Sequence, residues 1–293
     1  MFEGFDRVDT DVDGTRISAV RGGEGPPLLL LHGFPQTKAM WAGIAPALAR
    51  SHTVVAADLR GYGDSAKPGS DADHAPYSFR AMAADQVGLM RALGYERFAV
   101  IGHDRGARTT HRMALDHPDA VERAAVLDIL PTLHVYEHAD RALATAYYHW
   151  FFFIQPEPVP ETLIGADPRF YLHSLLGGWG SGLGVYAPEA LAEYERCFDD
   201  PTARHAMMED YRAGASIDLE HDRADAGRRV EMPLLVLWGA RGVVGRSGDV
   251  LAVWRERGTD VRGEVVDAGH FLVEERPAET LVALQGFLGG SRA

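Results

Sequence analysis

Apolar runs and amphipathic segments alternate along most of this chain. Runs without polar alternation are typical of strands buried on both faces of a parallel sheet, and apolar positions at intervals of three or four residues predict helices. Strands are predicted at residues 6–12, 15–21, 27–31, 52–58, 98–103, 121–130, 233–238 and 263–266. Helices are predicted at residues 40–50, 78–94, 105–117, 249–257 and 277–288. This alternation indicates an α/β fold with a mostly parallel central sheet flanked by helices.

The alternation stops once, between residues 131 and 228. This stretch has helical patterning, a proline-rich break at residues 155–160 and a glycine-rich segment at residues 177–184, but no strand pattern. The economical interpretation is a core formed by residues 1–130 and 229–293, with residues 131–228 inserted as a helical cap. The insertion follows the strand that carries Asp128.

Asp104 lies at the junction between a predicted strand and a predicted helix, with Gly102 and Gly106 two positions to either side. This spacing is that of a nucleophile elbow, a sharp turn in which glycines let neighbouring backbone approach closely. A carboxylate that attacks an acyl carbon gives an anhydride. When it attacks an sp³ carbon that bears a leaving group, it gives an ester that water can cleave. An aspartate at this apex therefore predicts displacement at carbon, on an alkyl halide or an epoxide.

Two further residues complete the order of an α/β-hydrolase triad, which runs nucleophile, acid, histidine. His270 follows a predicted strand and a glycine, and we expect it to be the base. Asp128 is a lone carboxylate in an apolar run, where burial would be costly without a partner such as histidine. The alternative for Asp128 is a helix or loop cap. The strand after the cap has no carboxylate until Asp249, so Asp128 is the better candidate for the acid.

Two arginines follow the predicted nucleophile. Arg105 and Arg108 are three positions apart and therefore share one face of the helix, at its N-terminal end. Guanidinium groups match the geometry of a carboxylate, so we expect this pair to bind a substrate anion. The alternative is a salt bridge to one of the acidic residues of the chain. The backbone N–H groups of Phe34 and Arg105 are predicted to form an oxyanion hole for the hydrolytic step.

An aromatic run occupies residues 147–153 of the predicted cap. Such a run most often serves packing. Its polar atoms, together with the hydroxyl of Tyr211, could alternatively donate hydrogen bonds to a departing halide. Spacing alone does not decide between these two interpretations.

Composition narrows the class of partner. The formal net charge is −13, which argues against nucleic acid and against an anionic membrane, but not against a small anionic substrate. Cys197 is the one cysteine, so no intramolecular disulfide can form and the chain suits a reducing compartment. No signal peptide is evident, and no apolar run is long enough to span a bilayer. These features predict a cytoplasmic protein.

The sequence resembles the fluoroacetate dehalogenases, a haloacetate-hydrolysing family of α/β hydrolases, over nearly its whole length. The motifs that carry the resemblance are His32-Gly-Phe-Pro-Gln, Gly102-His-Asp-Arg-Gly-Ala-Arg, Val126-Leu-Asp-Ile-Leu-Pro, Tyr148-His-Trp, Glu209-Asp-Tyr-Arg-Ala-Gly and Ala268-Gly-His-Phe. The elbow together with Tyr-His-Trp is specific, whereas His-Gly-Phe-Pro is common to many hydrolases. The resemblance implies hydrolysis of fluoroacetate to glycolate and halide, through an ester on the aspartate at the elbow.

The same resemblance implies roles for individual residues. It makes Asp104 the nucleophile, His270 the base and Asp128 its partner, with Arg105 and Arg108 holding the substrate carboxylate. It places a tryptophan, here Trp179, at the substrate entrance. It implies a homodimer without cofactor or metal, acting on a small anionic haloacid. The halide pocket would be lined by His149, Trp150 and Tyr211.

Other functions remain open at the level of sequence. An epoxide hydrolase would share the fold and the aspartate elbow, and cap tyrosines are available here to protonate an epoxide oxygen. Epoxide hydrolases and haloalkane dehalogenases commonly have Trp where this chain has Arg105, and neither needs two arginines beside the nucleophile. A non-catalytic receptor on this scaffold would usually lack a triad member, whereas this chain has candidates for all three. The motifs therefore favour haloacetate dehalogenation, with epoxide hydrolysis as the alternative.

Overall fold

The computed structural model describes residues 1–290, and it places eight strands in one sheet. The strands are β1 Asp6–Val12, β2 Thr15–Gly22, β3 Pro27–Leu31, β4 Thr53–Ala57, β5 Phe98–His103, β6 Val121–Leu127, β7 Leu234–Gly239 and β8 Val261–Val266. The order across the sheet is β1-β2-β4-β3-β5-β6-β7-β8, with antiparallel pairing of β1 with β2 and of β2 with β4 and parallel pairing elsewhere. The mostly parallel α/β sheet expected from the sequence is confirmed.

The central strands are buried along their length, as unbroken apolar runs predict. Every residue of β4 and β5 is buried, and Leu28 to Leu31 of β3 have no exposed surface. β1 lies at one edge of the sheet, and most of its residues are exposed or half-buried instead. The core therefore lies on both faces of the central strands, and the carboxyl ends of β3, β5 and β6 meet at one edge.

Helices follow the strands and also fill the interval between β6 and β7. They are α1 Ala45–Leu48, α2 Phe79–Ala92, α3 Arg105–Asp116, α4 Thr132–Glu137, α5 Arg141–Ala146, α6 Tyr148–Phe153, α7 Val159–Gly165, α8 Pro168–Gly178, α9 Pro188–Asp199, α10 Pro201–Gly214, α11 Ile217–Ala224, α12 Val243–Arg246, α13 Val250–Arg255, α14 Leu272–Glu275 and α15 Pro277–Gly289. Three short 3₁₀ helices lie at Lys38–Trp41, Ala75–Tyr77 and Leu183–Val185. Residues 128–229 lie between β6 and β7 and carry eight of these helices, α4 to α11, and no strand of the sheet.

Two predicted elements differ from the structure by more than two residues at an end. The helix expected at residues 40–50 is a 3₁₀ turn followed by the four-residue α1, because Pro46 in the first turn of α1 cannot donate to a continuing helix. The strand expected to reach residue 130 ends at Leu127, because Asp128 adopts a φ of 52° and turns the chain out of the sheet. None of the helices in residues 1–290 is both long enough and apolar enough to cross a bilayer.

Candidate active site

Asp104 stands on a strained turn between β5 and α3. Its φ of 46° and ψ of −112° lie outside the usual regions for a residue with a side chain. Neighbouring glycines make the turn possible, because a Cβ on Gly33 would come within 2.4 Å of the Asp104 Cβ. A Cβ on Gly102 would come within 2.3 Å of the Gly106 oxygen, and one on Gly106 within 2.4 Å of the His32 oxygen. The elbow predicted from glycine spacing is therefore a close approach of three backbone segments.

The carboxylate of Asp104 is held in its ionised form. Burial alone would raise its pKa, but the charges of His270, Arg108 and Arg105 outweigh burial and lower the pKa of Asp104 to about 2. The backbone N–H of Phe34 donates to its Oδ1 at 2.9 Å. The Arg105 N–H lies beside it at the first position of α3, where a helix leaves its N–H groups without an internal partner. The Phe34 N–H therefore contacts the nucleophile, and the Arg105 N–H is the next backbone N–H along the chain.

His270 and Asp128 are hydrogen-bonded although the chain separates them by 142 positions. The Nδ1 of His270 lies 2.6 Å from the Asp128 Oδ2, and the backbone N–H of Gly239 donates to the Asp128 Oδ1 at 2.9 Å. Burial would lower the pKa of His270, but the hydrogen bond and charge of Asp128 raise it above its ordinary value. A histidine held in this way through Nδ1 leaves Nε2 to accept a proton.

The two arginines after the nucleophile have different surroundings. Arg105 donates through Nε to the Asp210 Oδ2 at 2.8 Å and through Nη2 to the backbone oxygen of Asp210 at 2.7 Å, and Nη2 also pairs with its Oδ1. Its guanidinium lies between the rings of Phe79 and Tyr211, at 4.5 and 4.3 Å from their centroids. Arg105 is therefore neutralised inside the protein, and its Nη1 forms no hydrogen bond within residues 1–290.

Arg108 is buried and forms no salt bridge with a carboxylate within residues 1–290. Its Nη1 donates to the Leu130 oxygen at 3.0 Å and to the Thr132 Oγ1 at 2.9 Å, and its Cζ lies 4.5 Å from the centroid of the Trp150 ring. Within residues 1–290 its Nε has no hydrogen-bond partner and no carboxylate pairs with it. A buried cation of this kind is costly unless an anion joins it.

The aromatic residues expected around the halide come from two helices. His149 and Trp150 lie on α6 and Tyr211 on α10, and all three are buried. The ring centroid of Tyr211 is 5.6 Å from that of His149 and 6.2 Å from that of Trp150. Burial lowers the pKa of His149 well below its ordinary value and raises that of Tyr211 well above it. His149 is therefore neutral and Tyr211 protonated, so each keeps a hydrogen to donate.

A cavity of about 360 Å³ joins the nucleophile, the histidine and part of the helical segment. Tyr147, Arg241 and Arg246 also line it, and sequence reasoning had not assigned them to the site as lining residues, although Tyr147 belongs to the aromatic run. Tyr211, Arg105 and Arg108 are not among the residues that line this cavity. The lining residues are Asp104, Ala146, Tyr147, His149, Trp150, Gly178, Trp179, Gly180, Arg241, Gly242, Val243, Arg246, Gly269 and His270.

Two features bound what the site can do. A second cavity of about 540 Å³ shares Ala146, Val243 and Arg246 with the first but contains no triad residue, so the chemistry belongs to the first. Within residues 1–290 no cluster of three or more His, Cys, Asp or Glu side chains is placed to bind a metal ion. The arrangement provides an ionised nucleophile, a histidine paired with an acid, and a buried cation.

Asp210 was not predicted from the sequence, although it stands beside Tyr211 in a motif that the sequence analysis identified.

Known proteins resemble this chain over almost all of its length. Residues 26–277 match the model of the alpha/beta hydrolase fold family. The sequence is 52% identical to a fluoroacetate dehalogenase of Burkholderia sp, over 100% of this chain and 97% of that protein. It is 35% identical to a soluble epoxide hydrolase of Corynebacterium sp. (strain C12), over 91% of each. The crystal structure of a protein from Nostoc sp PCC 7120, assigned to the α/β hydrolases, superposes with a TM-score of 0.98 at 55% identity, covering 99% of this chain and 100% of that one.

Proposed function

The chain belongs to the fluoroacetate dehalogenase family of the α/β hydrolases, and we propose that it converts haloacetates and water to glycolate and halide at Asp104. It is a hydrolase that acts on carbon–halide bonds. Two chemical steps are proposed, formation of an ester on Asp104 and hydrolysis of that ester with the help of His270.

In the first step the substrate carboxylate binds to the arginines. Arg108 offers Nε and Nη2 and Arg105 offers Nη1, since their other nitrogens are held by the protein. An oxygen of Asp104 attacks the α-carbon, the new C–O bond forms as the carbon–halide bond breaks, and the bonding pair leaves with the halide. The low pKa of Asp104 supports this step, because the nucleophile is ionised at neutral pH.

The halide leaves towards the aromatic residues. Fluoride is a poor leaving group and a strongly hydrated ion, so its departure requires hydrogen-bond donors that are already oriented. We propose that a ring N–H of His149, the indole N–H of Trp150 and the hydroxyl of Tyr211 supply them. The neutral state of His149 and the protonated state of Tyr211 support these roles.

In the second step water attacks the carbonyl carbon of the Asp104 ester. His270 accepts the proton of this water through Nε2 while Asp128 stabilises the imidazolium. The N–H groups of Phe34 and Arg105 stabilise the oxyanion that forms. Collapse breaks the bond between the Asp104 carbonyl carbon and the glycolate oxygen, which takes the proton from His270 as it leaves. Asp104 is left as the acid and loses its proton to solvent, which regenerates the carboxylate.

The observation that carries the substrate class is the buried Arg108, whose charge acts on the nucleophile and whose Nε has no hydrogen-bond partner within residues 1–290. Parallel turnover assays with fluoroacetate, chloroacetate and a neutral epoxide test the proposal, with both acid and halide release recorded. We expect glycolate and halide in equal amounts from the haloacetates, and no halide from an Asp104→Asn control. Faster turnover of the epoxide than of either haloacetate would contradict it.

The alternative is an epoxide hydrolase, which uses the same nucleophile and histidine. The hydroxyl group of Tyr147 is the feature that favours it, because this residue lines the cavity together with Asp104 and could protonate an epoxide oxygen. The similarity to the epoxide hydrolase of Corynebacterium is lower than that to the dehalogenase. A neutral epoxide also gives Arg108 no counter-charge, so the haloacid remains the better substrate.

We propose that residues 131–228 act as a cap on a core formed by residues 1–130 and 229–293. The lining of the cavity supports this division, since Ala146, Trp150 and Trp179 of the helical segment face Asp104 of the core. Hydrogen exchange should then show protection of residues 146–150 and 178–180 when chloroacetate is bound to a His270→Asn variant. Equal exchange with and without chloroacetate would contradict a covering role.

We further propose a cytoplasmic homodimer. Val159 and Leu163 on α7 and Phe170 on α8 expose 47%, 62% and 71% of their surface, and we propose that a second copy covers these apolar side chains. Light scattering should give twice the 32.0 kDa of one chain, and a Phe170→Asp variant should shift towards the monomer.

The proposed cytoplasmic location is supported by the buried free thiol at Cys197, which suits a reducing compartment. Recovery of the native enzyme mainly in the periplasmic fraction would contradict that location.

A further inference from the structure

Glu275 is a buried carboxylate that the two proposed chemical steps do not use. It lies at the end of the four-residue α14, immediately after the histidine loop, and its side chain has no exposed surface. Its Oε2 accepts the backbone N–H of Gly269 at 2.9 Å, and its Oε1 accepts that of Phe271 at 3.0 Å. The two N–H groups on either side of His270 are thus bound by a single carboxylate.

The remaining peptide groups of His270 are also fixed. Its N–H donates to the Trp179 oxygen at 2.9 Å. Its oxygen lies 2.9 Å from the Nε2 of His103, which precedes the nucleophile. Burial lowers the pKa of His103 to about 3, so this ring is neutral and its Nε2 is the protonated nitrogen that donates to the oxygen. Glu275 therefore completes a set of four contacts that determine where the His270 backbone lies.

The same carboxylate reaches the glycine-rich segment at residues 177–184. The hydroxyl of Ser181 donates to the Oε2 of Glu275, and a Cβ on Gly180 would come within 2.9 Å of its Oε1. Arg241, which lines the cavity, has an Nη2 atom 3.7 Å from Oε2. Glu275 thus connects the segment that carries Trp179 with the loop that carries His270.

We propose that Glu275 is a positioning residue that sets the orientation of His270 for ester hydrolysis and, through Ser181, ties the glycine-rich segment to it. This inference rests on the proposed function. Attack on the Asp104 ester requires His270 to direct a water molecule, whereas formation of the ester does not require His270. Loss of Glu275 should therefore slow the second step and spare the first.

The test is a Glu275→Gln variant, which keeps the size of the side chain but exchanges one acceptor oxygen for a donor. Rapid quenching with chloroacetate measures the halide burst, and intact mass measures the fraction of enzyme in the ester form. We expect an unchanged burst rate, ester hydrolysis slower by about tenfold or more, and accumulation of the ester. The acid limb of the hydrolysis rate should also move to lower pH, because a negative charge near His270 is lost.

Glu274→Gln is the matched control. Glu274 is the adjacent carboxyl in α14 and is bound by Tyr194 and Gln36 instead of by the histidine loop. Burial raises the pKa of Glu274 to about 8, so it is mostly protonated at neutral pH and an amide imitates it. This variant should form and hydrolyse the ester at the rates of the unmodified enzyme.

Ser181→Ala tests the connection at an exposed position, where folding is not at risk. It should slow ester hydrolysis by about twofold or more without changing the burst, and hydrolysis at the unmodified rate would overturn the role of the segment.

An equal fall in the rates of ester formation and ester hydrolysis in Glu275→Gln would overturn the positioning role of Glu275, and so would an unchanged rate of hydrolysis. An unmodified enzyme that gives no halide burst would instead contradict the proposed function itself.

Discussion

Arg105 and Asp210 form a buried ion pair, with side-chain exposures of 1% and 0%. The pair crosses from α3 at the nucleophile to α10 in the helical segment, and the hydroxyl of Tyr62 donates to the same carboxylate at 2.7 Å. Asp210 therefore pairs with one of the two arginines beside Asp104, and within residues 1–290 Arg108 is left without a salt bridge. The two arginines should differ accordingly when they are replaced.

Replacement of Arg108 should affect substrate binding more than folding. Arg108→Gln removes a charge that has no carboxylate partner, so KM for chloroacetate should rise by about tenfold or more, which corresponds to ~1.5–3 kcal/mol for a charge-assisted contact. Initial rates over a range of substrate concentrations measure this change. Chloroacetamide should be a poor substrate of the unmodified enzyme, and equal turnover of amide and acid would exclude the carboxylate-binding role.

Replacement of Arg105 should affect folding more than that of Arg108. Arg105→Gln leaves Asp210 buried and charged with the Tyr62 hydroxyl but without a cationic partner, and breaking a buried ion pair in this way typically costs about 3–5 kcal/mol of unfolding free energy. Urea unfolding of both variants measures the difference. If Arg105→Gln proves as stable as Arg108→Gln, the ion pair with Asp210 has little energetic importance.

The ester on Asp104 should be trapped by removal of the base. His270→Asn keeps the nucleophile and the arginines but provides no group to accept a proton from water, so the second step should stall. Intact mass after incubation with chloroacetate should increase by one carboxymethyl group, and peptide mapping should place it on Asp104. Asp104→Asn should remain unmodified under the same conditions. A folded His270→Asn protein without an adduct would argue against covalent catalysis.

The two steps should depend differently on pH. Asp104, with a pKa of about 2, is ionised throughout the range from 5 to 9, so its ionisation should leave ester formation constant there. His270 must be neutral to accept a proton, and its pKa lies above the ordinary value, so hydrolysis should rise as the pH increases through that raised pKa. At low pH the ester should accumulate. Asp128→Asn should move this rise to lower pH and slow hydrolysis, because the charge that raises the pKa is lost; a rise at the unmodified pH would contradict the pairing.

The halide donors should matter more for fluoride than for chloride. Trp150→Phe keeps a ring over Arg108 but removes the indole N–H, and loss of a transition-state donor typically costs on the order of 10²-fold in kcat. Turnover of fluoroacetate should fall by about that factor, and turnover of chloroacetate by much less. Parallel halide-release assays give both values. An equal fall for the two halides would indicate that Trp150 serves packing only.

The elbow glycines should be intolerant of a side chain. Gly102→Ala would place a Cβ within 2.3 Å of the Gly106 oxygen, so overpacking should destabilise the fold by about 1–3 kcal/mol and displace Asp104. Gly43→Ala is the control, because a Cβ there meets no atom within 4 Å. Thermal unfolding and the halide burst measure both effects. Normal stability and a normal burst rate in Gly102→Ala would show that the turn does not depend on the close contact between Gly102 and the Gly106 backbone.

The sequence by itself determined the elements that depend on local chemistry. Unbroken apolar runs indicate buried strands because both faces of a parallel strand are covered, and glycines around Asp104 indicate a sharp turn because no other residue fits. The helix expected at residues 40–50 failed for a reason that is also local, since Pro46 prevents a continuous helix where apolar spacing favoured one. The reaction predicted at the elbow, displacement at carbon, followed from the aspartate at its apex.

Tertiary structure alone decided which charges are paired. Helical spacing shows that Arg105 and Arg108 share a face, but not which of them meets Asp210, because that carboxylate lies 105 positions away from Arg105 on an element of the helical segment. The contacts of Glu275 with the N–H groups around His270 are equally invisible in a pattern of apolar and polar residues. Side-chain pairing depends on how separate elements approach, and only the packed chain brings these groups within hydrogen-bond distance.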